Sequence, residues 1–521
     1  MPLQKNQVLT LRVERLSSDG SGVAHSPDGE TVFIPGAAPG DEARVRIVKD
    51  CKRYAFGILD EVLTPSPDRI PVDCAVAGPC GGCSLRHLDY AAELRAKQEN
   101  VADAFARIGG LDVPVLPIVG SPEVNRYRNK VQFPVGVDKS GKPCIGFYAG
   151  RTHRIVPCPD CRLQPGVLNE IGNALCAFFA EKGIQPYSEE TGRGLVRHIF
   201  LRRGAHSGQI MVCLVCTRAK LPSAEELCTR LKAQFAEITT ILLNVNAKNT
   251  NVILGTETHT LYGQGYIEDT LCGVPVQLGP LSFYQVNTLA AEQLYGIAAQ
   301  YAQLTPDDLL LDLYCGMGTI GLSMAAHCRE LIGVEIVPEA IESAKANAAR
   351  MGADVAAKSR FFCADAGQAA TRLAAEGLHP DIVMLDPPRK GCDEATLSAV
   401  VRMSPRRVVY VSCNPATAAR DAAWLEQNGY HAEKVQPVDL FPRTRHCEAV
   451  LLLTKLHVER HIEVDVSMDE LDVTAAESKA TYNEIRDYVW EHHQLKVSNL
   501  YIAQVKQKYG IIERENYHKA K

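Results

Sequence analysis

Short runs of alternating hydrophobic and polar residues fill the N-terminal part of the chain. Runs of this kind predict β-strands, and turns rich in glycine, proline and aspartate separate them. The turns lie at Ser17–Gly22, Pro27–Gly29 and Ala38–Asp41. The pattern predicts a small OB-like barrel of about five strands over residues 1–63. Such barrels often bind nucleic acid, although a purely structural barrel has the same pattern.

Residues 66–275 combine an amphipathic helix with a series of strands, which predicts a central α+β domain. Apolar residues at helical spacing predict a helix over Tyr90–Ile108 that stops at Gly109. The segments that follow predict an antiparallel sheet with one or two helices. Cys213 and Cys216 lie in one of these strands on opposite faces, so both are predicted to be core residues.

From residue 276 to 457 strands and helices alternate, and a hairpin closes the series. This alternation predicts a parallel sheet covered by helices. The closing hairpin is typical of Rossmann-like class I methyltransferases that use S-adenosylmethionine, rather than of dinucleotide dehydrogenases. An acidic linker is predicted for 458–478 and a short helical tail for 479–521. The whole chain is therefore predicted to be a multidomain α/β protein.

Composition narrows the class of protein. The 521 residues are 46% hydrophobic, enough for several well-formed cores. No run of about 18 apolar residues occurs and the N-terminus lacks the features of a signal peptide, so we expect a cytoplasmic protein without a membrane span. We also expect a monomer. The net charge of -5 decides nothing about partners, because an acidic chain can carry a basic groove.

The chain contains 18 cysteines, which in a reducing compartment indicates thiols, metal ligands or catalysis rather than disulfides. Cys74, Cys80 and Cys83 predict a loop that wraps a metal or a cluster. The expected fourth ligand is Cys161, with Cys158 as the second choice. A zinc site would pair the Cys80–Cys83 motif with the Cys158–Cys161 motif. An iron–sulfur cluster would use the first three cysteines and one distant cysteine.

A glycine-containing loop follows the predicted strand Leu309–Leu313. Gly316 and Gly318 allow the backbone to approach a ligand at a helix N-terminus. Glu335 ends the next strand, about 20 residues beyond the first glycine, where an acid can hold ribose hydroxyls. The combination predicts a nucleoside-binding site at this edge of the sheet.

Cys413 ends the apolar strand Arg407–Ser412. Pro415 cannot continue the strand, so the thiol is expected at the carboxyl edge, where open α/β sheets bind their ligands. Taken alone, it is either a small core residue or a nucleophile. Asp386 ends the preceding strand at the same edge.

Two basic segments lie in the central domain. Arg126, Arg128 and Lys130 surround Tyr127, and Arg197 belongs to a second group of basic residues. Arginines next to an aromatic ring suit stacking and phosphate contacts with single-stranded RNA. A solvated strand edge would have the same composition.

Together, these motifs resemble the RNA uridine-5-methyltransferases of the RumA/RlmD type, which modify large-subunit ribosomal RNA. The resemblance covers residues 1 to about 456. The matching segments of the catalytic half are Ser282–Asn287, Leu385–Arg389, Ser412–Pro415 and Phe441–Glu448. The resemblance implies a TRAM domain for the barrel, S-adenosylmethionine as cofactor and 23S rRNA as substrate. It also implies a 4Fe-4S cluster on Cys74, Cys80, Cys83 and Cys161.

The chemistry and the resemblance together assign roles to single residues. Cys413 is expected to add to C6 of uracil, and Glu448 to remove the proton from C5. Phe283 is expected to stack on the unstacked base. The expected cofactor contacts are Gln285, Tyr314, Gly316, Gly318, Glu335 and Asp386. The expected further RNA contacts are Arg126, Arg128, Lys130 and Arg197.

Several alternatives stay open. A tRNA uridine-5-methyltransferase would use the same chemistry, but such relatives are expected to share only the catalytic half. An RNA cytosine-5-methyltransferase would need a Pro-Cys motif, which is absent around Cys413. An amino-methyltransferase shares Asp386-Pro387-Pro388, but Arg389 replaces the aromatic residue. A non-enzymatic iron–sulfur RNA-binding factor would have no need of Cys413 with Glu448.

Overall fold

The computed structural model describes residues 3–150, 152–248, 250–456, 482–493 and 502. The first five strands are β1 (Val8–Leu16), β2 (Ser21–His25), β3 (Thr31–Pro35), β4 (Glu42–Asp50) and β5 (Tyr54–Thr64). They close into a barrel in the order β1-β2-β3-β5-β4. Alternate side chains, such as Val45 and Ile47 of β4, point inward and are fully buried. The predicted small barrel is confirmed.

Helix α1 (Tyr90–Asp103) connects the barrel to the rest of the chain. The Asp89 carboxylate caps its N-terminus by accepting a hydrogen bond from a backbone N–H of the first turn. The helix continues as a π-helical segment, Ala104–Gly109, and ends where Gly110 adopts a left-handed conformation. The predicted helix is present, but its last part is wound more widely than an α-helix.

The central sheet has seven strands in the order β12-β11-β10-β9-β6-β7-β8. They are β6 (Lys130–Val137), β7 (Pro143–Tyr148), β8 (Ile155–Pro157), β9 (Val196–Arg203), β10 (Ile210–Cys216), β11 (Ile238–Val245) and β12 (Glu257–Tyr262). Two helices, α2 (Gly166–Glu181) and α3 (Ala224–Gln234), belong to this domain. Cys213 and Cys216 are fully buried core residues, as predicted.

The prediction of an antiparallel sheet is wrong for one pair of strands. β10 and β11 run parallel, while every other neighbouring pair is antiparallel. The reason is α3, which lies between the two strands in the chain. A helical crossover returns the chain to the same end of the sheet, and parallel pairing requires such a connection.

A hairpin, β13 (Ile267–Leu271) and β14 (Val274–Leu278), leads into α4 (Thr288–Ala302) and the second seven-stranded sheet. The strands of that sheet are β15 (Leu309–Leu313), β16 (Glu330–Glu335), β17 (Ser359–Cys363), β18 (Ile382–Leu385), β19 (Arg407–Ser412), β20 (Tyr430–Val438) and β21 (Glu448–Lys455). Its order is β17-β16-β15-β18-β19-β21-β20. β15 to β19 are parallel, whereas β21 is antiparallel to both of its neighbours.

Helices follow the strands of this second sheet. They are α5 (Thr319–Met324), α6 (Pro338–Arg350), α7 (Ala353–Lys358), α8 (Ala366–Ala375), α9 (Glu394–Met403) and α10 (Pro415–Gln427). A 3-10 turn, Ala325–His327, extends α5. The sheet is buried between two hydrophobic clusters, so the predicted parallel α/β architecture with a closing hairpin is confirmed.

The C-terminal part is described only over α11 (Tyr482–His493) and residue 502. The predicted linker 458–478 lies outside the described residues, as does most of the predicted helical tail. Within the described part of the chain, no helix has the length and apolar character that a membrane crossing needs.

Candidate active site

Cys413 lies at the carboxyl edge of the second sheet, one residue beyond β19. The Ser412 hydroxyl accepts a hydrogen bond from the backbone N–H of Asn414 (3.0 Å), which closes a tight turn around the thiol. The Asn414 side chain then caps α10 by accepting from the backbone N–H of Ala416. The half-buried thiol is thereby fixed between a strand end and a helix N-terminus.

The loop after β18 brings Arg389 against this thiol. The guanidinium of Arg389 is hydrogen-bonded to Cys413, and its carbonyl accepts a hydrogen bond from the Asn414 side chain (3.0 Å). Burial raises the pKa of the Cys413 thiol, and two neighbouring carboxyls raise it further, whereas Arg389 opposes them. The sequence prediction gave Arg389 no role, although it directly follows the Asp386 motif.

Glu448 opens β21, which neighbours the strand that leads to Cys413. Because Ser412 pairs with Ala449 in this antiparallel register, Cys413 and Glu448 lie beside each other. Only 5% of Glu448 is exposed. Burial, reinforced by Asp386, raises the pKa of Glu448 to about 8. A carboxyl with this pKa exchanges its proton close to neutral pH, as a general base must.

Two further carboxyls complete an acidic edge. Burial raises the pKa of Asp386 to about 7 and, with Asp386 and Glu335 contributing, that of Asp312 to about 8. Asp312 Oδ2 accepts from the backbone N–H of Gly321 (3.0 Å). Its Oδ1 is buried and has no hydrogen-bond partner among the described residues. Buried carboxyls this close together favour a cationic ligand.

The glycine loop after β15 has the backbone conformation of a ligand cradle. Tyr314, Gly316 and Gly318 all have positive φ angles, of 66°, 54° and 80°. A Cβ at Gly316 would meet no atom within 4 Å, so this position faces open space. Glu335 Oε2 accepts from the backbone N–H of Gly316 (3.2 Å), which joins the ends of β15 and β16. The Tyr314 hydroxyl lies 3.4 Å from Thr396 Oγ1.

The segment before α4 carries Phe283 and Gln285. Phe283 is 71% exposed, while Gln285 is half-buried and hydrogen-bonded to the Tyr295 hydroxyl. The segment is held by the buried Arg202, which donates to the carbonyls of Gly279 and Ser282 (both 2.7 Å). Arg202 therefore fixes the segment that carries the exposed Phe283 ring. The sequence alone did not predict this role.

Two of the basic residues predicted to contact RNA have guanidinium groups that are hydrogen-bonded within the protein. The Arg197 side chain is buried, donates to the Asn246 and Lys248 carbonyls and covers the ring of Tyr187 (4.8 Å). Arg126 Nη1 donates to the Cys161 carbonyl (2.8 Å). Both guanidinium groups are thus engaged within the protein, which the charge pattern along the chain could not distinguish from an RNA-facing arrangement.

The other two, Arg128 and Lys130, line a cavity of about 220 Å³. Burial, with Arg202 and Arg128, lowers the pKa of Lys130 to about 8. Arg86, also in the lining, is buried, and its Nη1 donates to Asp73 Oδ1 (2.6 Å). Two of its nitrogens and one of Arg128 have no partner among the described residues. The cysteines that line this cavity are Cys74, Cys80, Cys83, Cys158 and Cys161.

The thiols of this cavity, named here the cysteine cavity, differ in acidity. A hydrogen bond from Cys158 lowers the pKa of Cys161 despite its burial, whereas burial raises the pKa of Cys80 and Cys83. Within the described ranges, no three Cys, His, Asp or Glu side chains converge as tightly as the ligands of one metal ion.

Two family models match the chain. A model described as "tRNA (Uracil-5-)-methyltransferase" matches residues 204–456, and one described as "TRAM domain" matches residues 2–59. A Halalkalibacterium halodurans protein, named as an uncharacterized RNA methyltransferase, is 43% identical over 453 residues, which are 87% of this chain and 98% of that protein. A Listeria monocytogenes protein with the same description is 42% identical over 455 residues, with the same coverage of both chains.

One solved structure is similar over most of the chain. The Pyrococcus abyssi tRNA (uracil-54, C5)-methyltransferase, in complex with S-adenosyl-L-homocysteine, has a TM-score of 0.69 and 26% identity. The similarity covers 86% of this chain and 100% of that one. It therefore extends well beyond the catalytic half, and the expectation that tRNA-acting relatives share only that half is wrong for this enzyme.

Proposed function

This chain belongs to the S-adenosylmethionine-dependent RNA uracil-5-methyltransferase family, and we propose that its substrate is a uridine of 23S ribosomal RNA. The observation that supports methylation at C5 of uracil most strongly is the juxtaposition of Cys413 and Glu448 on neighbouring strands, whereas the choice of 23S rRNA rests on the resemblance to the ribosomal enzymes. A nucleophile beside a carboxyl of raised pKa is what methylation at C5 of uracil requires.

The proposed reaction begins with the Cys413 thiolate. It forms a bond to C6 of uracil, and the displaced electrons make an enolate that renders C5 nucleophilic. C5 then attacks the methyl group of S-adenosylmethionine, and S-adenosylhomocysteine leaves. Glu448 accepts the proton from C5, the C5–C6 double bond forms again, and the Cys413 thiolate is expelled. Release of that proton to solvent restores the enzyme.

The cofactor would lie along the carboxyl edge of the sheet. The open space beside Gly316 would let a nucleoside approach the backbone closely. Glu335, at the end of β16, is placed to accept hydrogen bonds from ribose hydroxyls. Asp386 and Glu448 would face the sulfonium, whose positive charge stabilises buried carboxylates. Gln285, Tyr314 and Gly318 are the further contacts that we propose.

We propose a 4Fe-4S cluster on Cys74, Cys80, Cys83 and Cys161. The support is the donor set of the cysteine cavity, in which thiols face the guanidinium of Arg86. A cluster bound by thiolates is anionic and is held mainly by cysteine ligands. When bound, it would cross-link the Cys74–Cys83 loop to the central sheet and would supply no group to methyl transfer.

A tRNA uridine is the second candidate substrate, because the similar solved structure is a tRNA enzyme with shared architecture over 86% of this chain. In either RNA the target base must leave its stack to reach a half-buried thiol. The exposed ring of Phe283 is the group that we propose stacks on that base.

The experiment uses tritiated S-adenosylmethionine with unmodified 23S rRNA and, separately, unmodified tRNA. We expect 5-methyluridine in 23S rRNA, at a position found by mapping, and a loss of about 10⁴-fold or more for Cys413→Ala. Cys144→Ala, which alters a half-buried thiol of the central domain, serves as the control. Product in tRNA alone would overturn the ribosomal assignment, and retained 5-methyluridine formation by Cys413→Ala would overturn the mechanism.

A further inference from the structure

The loop that delivers Glu448 is anchored from outside the catalytic domain. This loop, Asp439–Cys447, connects β20 to β21 and is named here the base loop. Helix α1 places Tyr90, Glu93 and Lys97 on one face, at spacings of three and four residues, against it. Lys97 and Glu93 are almost completely buried, as is Asp439 at the start of the loop.

Lys97 uses all of its hydrogen-bonding capacity in this contact. Its ammonium donates to Glu93 Oε1 (2.7 Å), to Asp439 Oδ1 (2.8 Å) and to the Phe441 carbonyl (3.1 Å). The Tyr90 hydroxyl donates to Asp439 Oδ2 (3.0 Å). An ammonium has three N–H donors, so Lys97 fixes the helix and two points of the base loop at once.

Arg443 is the second anchor of the base loop. Its backbone N–H donates to Glu93 Oε1 (2.7 Å), and its side chain donates to the Leu88 carbonyl (2.7 Å). The Arg443 carbonyl accepts from the backbone N–H groups of Ser84 (3.0 Å) and Leu85 (3.1 Å), which directly follow Cys83. The base loop therefore also touches the loop of the cysteine cavity.

A buried ionic network of this kind is a poor source of stability, because desolvation offsets most of the attraction. Its value is geometric, since each charge accepts only one arrangement of its partners. We propose that Lys97 is a positioning residue, which holds the base loop so that Glu448 reaches the C5 proton of the methylated uracil.

The mechanism gives this role a distinct signature. Formation of the Cys413–C6 bond and methyl transfer use groups on other strands, whereas elimination of the cysteine needs Glu448. A misplaced base loop should therefore slow the last step and leave enzyme joined to methylated RNA. A merely destabilising substitution would lower adduct and product together.

The test compares Lys97→Met with Arg406→Met in the full chain. The control removes a cation from another buried aspartate, Asp308, which lies at the opposite edge of the sheet. For Lys97→Met we expect a fall in turnover of about 10²-fold, an adduct visible on a denaturing gel with labelled RNA, and unchanged S-adenosylmethionine affinity. The control should form no excess adduct. Equal adduct levels in the two variants, or unchanged turnover of Lys97→Met, would overturn the proposal.

If Lys97→Met does not fold, two less disruptive variants test whether the contact with α1 positions the base loop. Tyr90→Phe removes one hydrogen bond to Asp439, and Tyr430→Phe removes one buried hydrogen bond, to the Pro405 carbonyl, at the far end of β20. Adduct should rise only in Tyr90→Phe, and equal levels would contradict the proposal. The positioning role of Lys97 rests on the proposed function. If that function were wrong, the wild-type protein itself would form no 5-methyluridine, which distinguishes the two failures.

Discussion

Two sites of this protein concentrate ionisable side chains of opposite kinds. At the carboxyl edge of the second sheet, burial raises the pKa values of Asp312, Asp386 and Glu448. In the cysteine cavity, burial and neighbouring arginines lower the pKa of Lys130. The sheet edge thus concentrates carboxyls and the cysteine cavity concentrates cations, although Arg389 lies at the first site and Cys161, whose thiol has a lowered pKa, lines the second. We propose an occupant of the opposite charge for each site: a sulfonium at the sheet edge and an anionic thiolate-bound cluster in the cysteine cavity.

Gathering charged or polar groups around a binding site costs free energy before the ligand binds. Like charges in a low-dielectric site oppose ionisation, and unpartnered donors such as Arg86 Nε remain unsatisfied without an anion. The occupant relieves both costs. Such sites bind and orient a charged group without reorganising when it arrives, which is the usual origin of electrostatic catalysis and of tight cofactor binding.

The largest expected effect comes from emptying the cysteine cavity. Cys83→Ser should lose iron and visible absorbance. It should also lower the melting temperature by about 10 °C, because a group bound tightly to the folded state alone adds about 3–4 kcal/mol of stability and each kcal/mol shifts a large domain by about 2–4 °C. Cys144→Ser, outside the cavity, should keep both properties. Full iron content in Cys83→Ser would contradict the assignment of this ligand.

Neutralising the acidic edge should have the next largest effect. Asp386→Asn removes a carboxyl that we assign to the sulfonium, so kcat/KM for S-adenosylmethionine should fall about 10- to 100-fold, the loss expected for one charge-assisted contact. Asp381→Asn is the matched control. Asp381 directly precedes the first residue of β18, at the opposite edge of the sheet, so this variant should bind the cofactor normally. A smaller loss in Asp386→Asn than in the control would refute the acidic-edge account.

A substitution outside both cavities sharpens the contrast. Phe283→Ala should weaken RNA binding by about 1–3 kcal/mol, the contribution of one base–aromatic stack, and should leave cofactor affinity and iron content unchanged. Leu281→Ala, another exposed apolar residue of the same segment, provides the comparison. RNA titrations that gave the same affinity for both variants would remove Phe283 from the proposed base-binding surface.

A shift in the pH dependence of single-turnover product formation should be a smaller effect than these. Glu448 must be a carboxylate to act as a base, so single-turnover product formation should rise with pH through about 8. The Asp386 carboxyl disfavours a second negative charge nearby, and its removal lowers the pKa of Glu448. In Asp386→Asn at saturating cofactor, the rise should therefore move to lower pH by about one unit. A shift to higher pH would contradict the assignment.

Alternation and periodicity predicted most of the fold. The barrel, the sheet strand Leu309–Leu313 and the closing hairpin lie where their patterns predicted them, because alternation marks the half-buried barrel strands and continuous apolar runs mark the buried sheet strands. The parallel pairing of β10 and β11 was not predicted. Strand register and direction depend on the path of the connection, which the apolar pattern of a fully buried strand does not record.

The positions of some residues of the candidate active site could also be predicted from the sequence. Cys413, Asp386 and Glu335 could be placed together because each ends a strand, and parallel strands share one carboxyl edge. The hydrogen-bond partners of Arg197 and Lys97 could not be predicted. A charged residue looks the same in sequence whether it meets RNA or donates to buried carbonyls, and the Lys97 partner Asp439 is distant in the chain.

The most direct test of the central claim is the behaviour of Glu448→Gln with methyl-labelled S-adenosylmethionine and the substrate RNA. If Cys413 adds to C6 and Glu448 removes the C5 proton, this variant should accumulate a covalent enzyme–RNA species that contains the labelled methyl group and survives denaturation. The double variant Cys413→Ala/Glu448→Gln should form none. Normal release of 5-methyluridine by Glu448→Gln, or a labelled adduct in the double variant, would contradict the account.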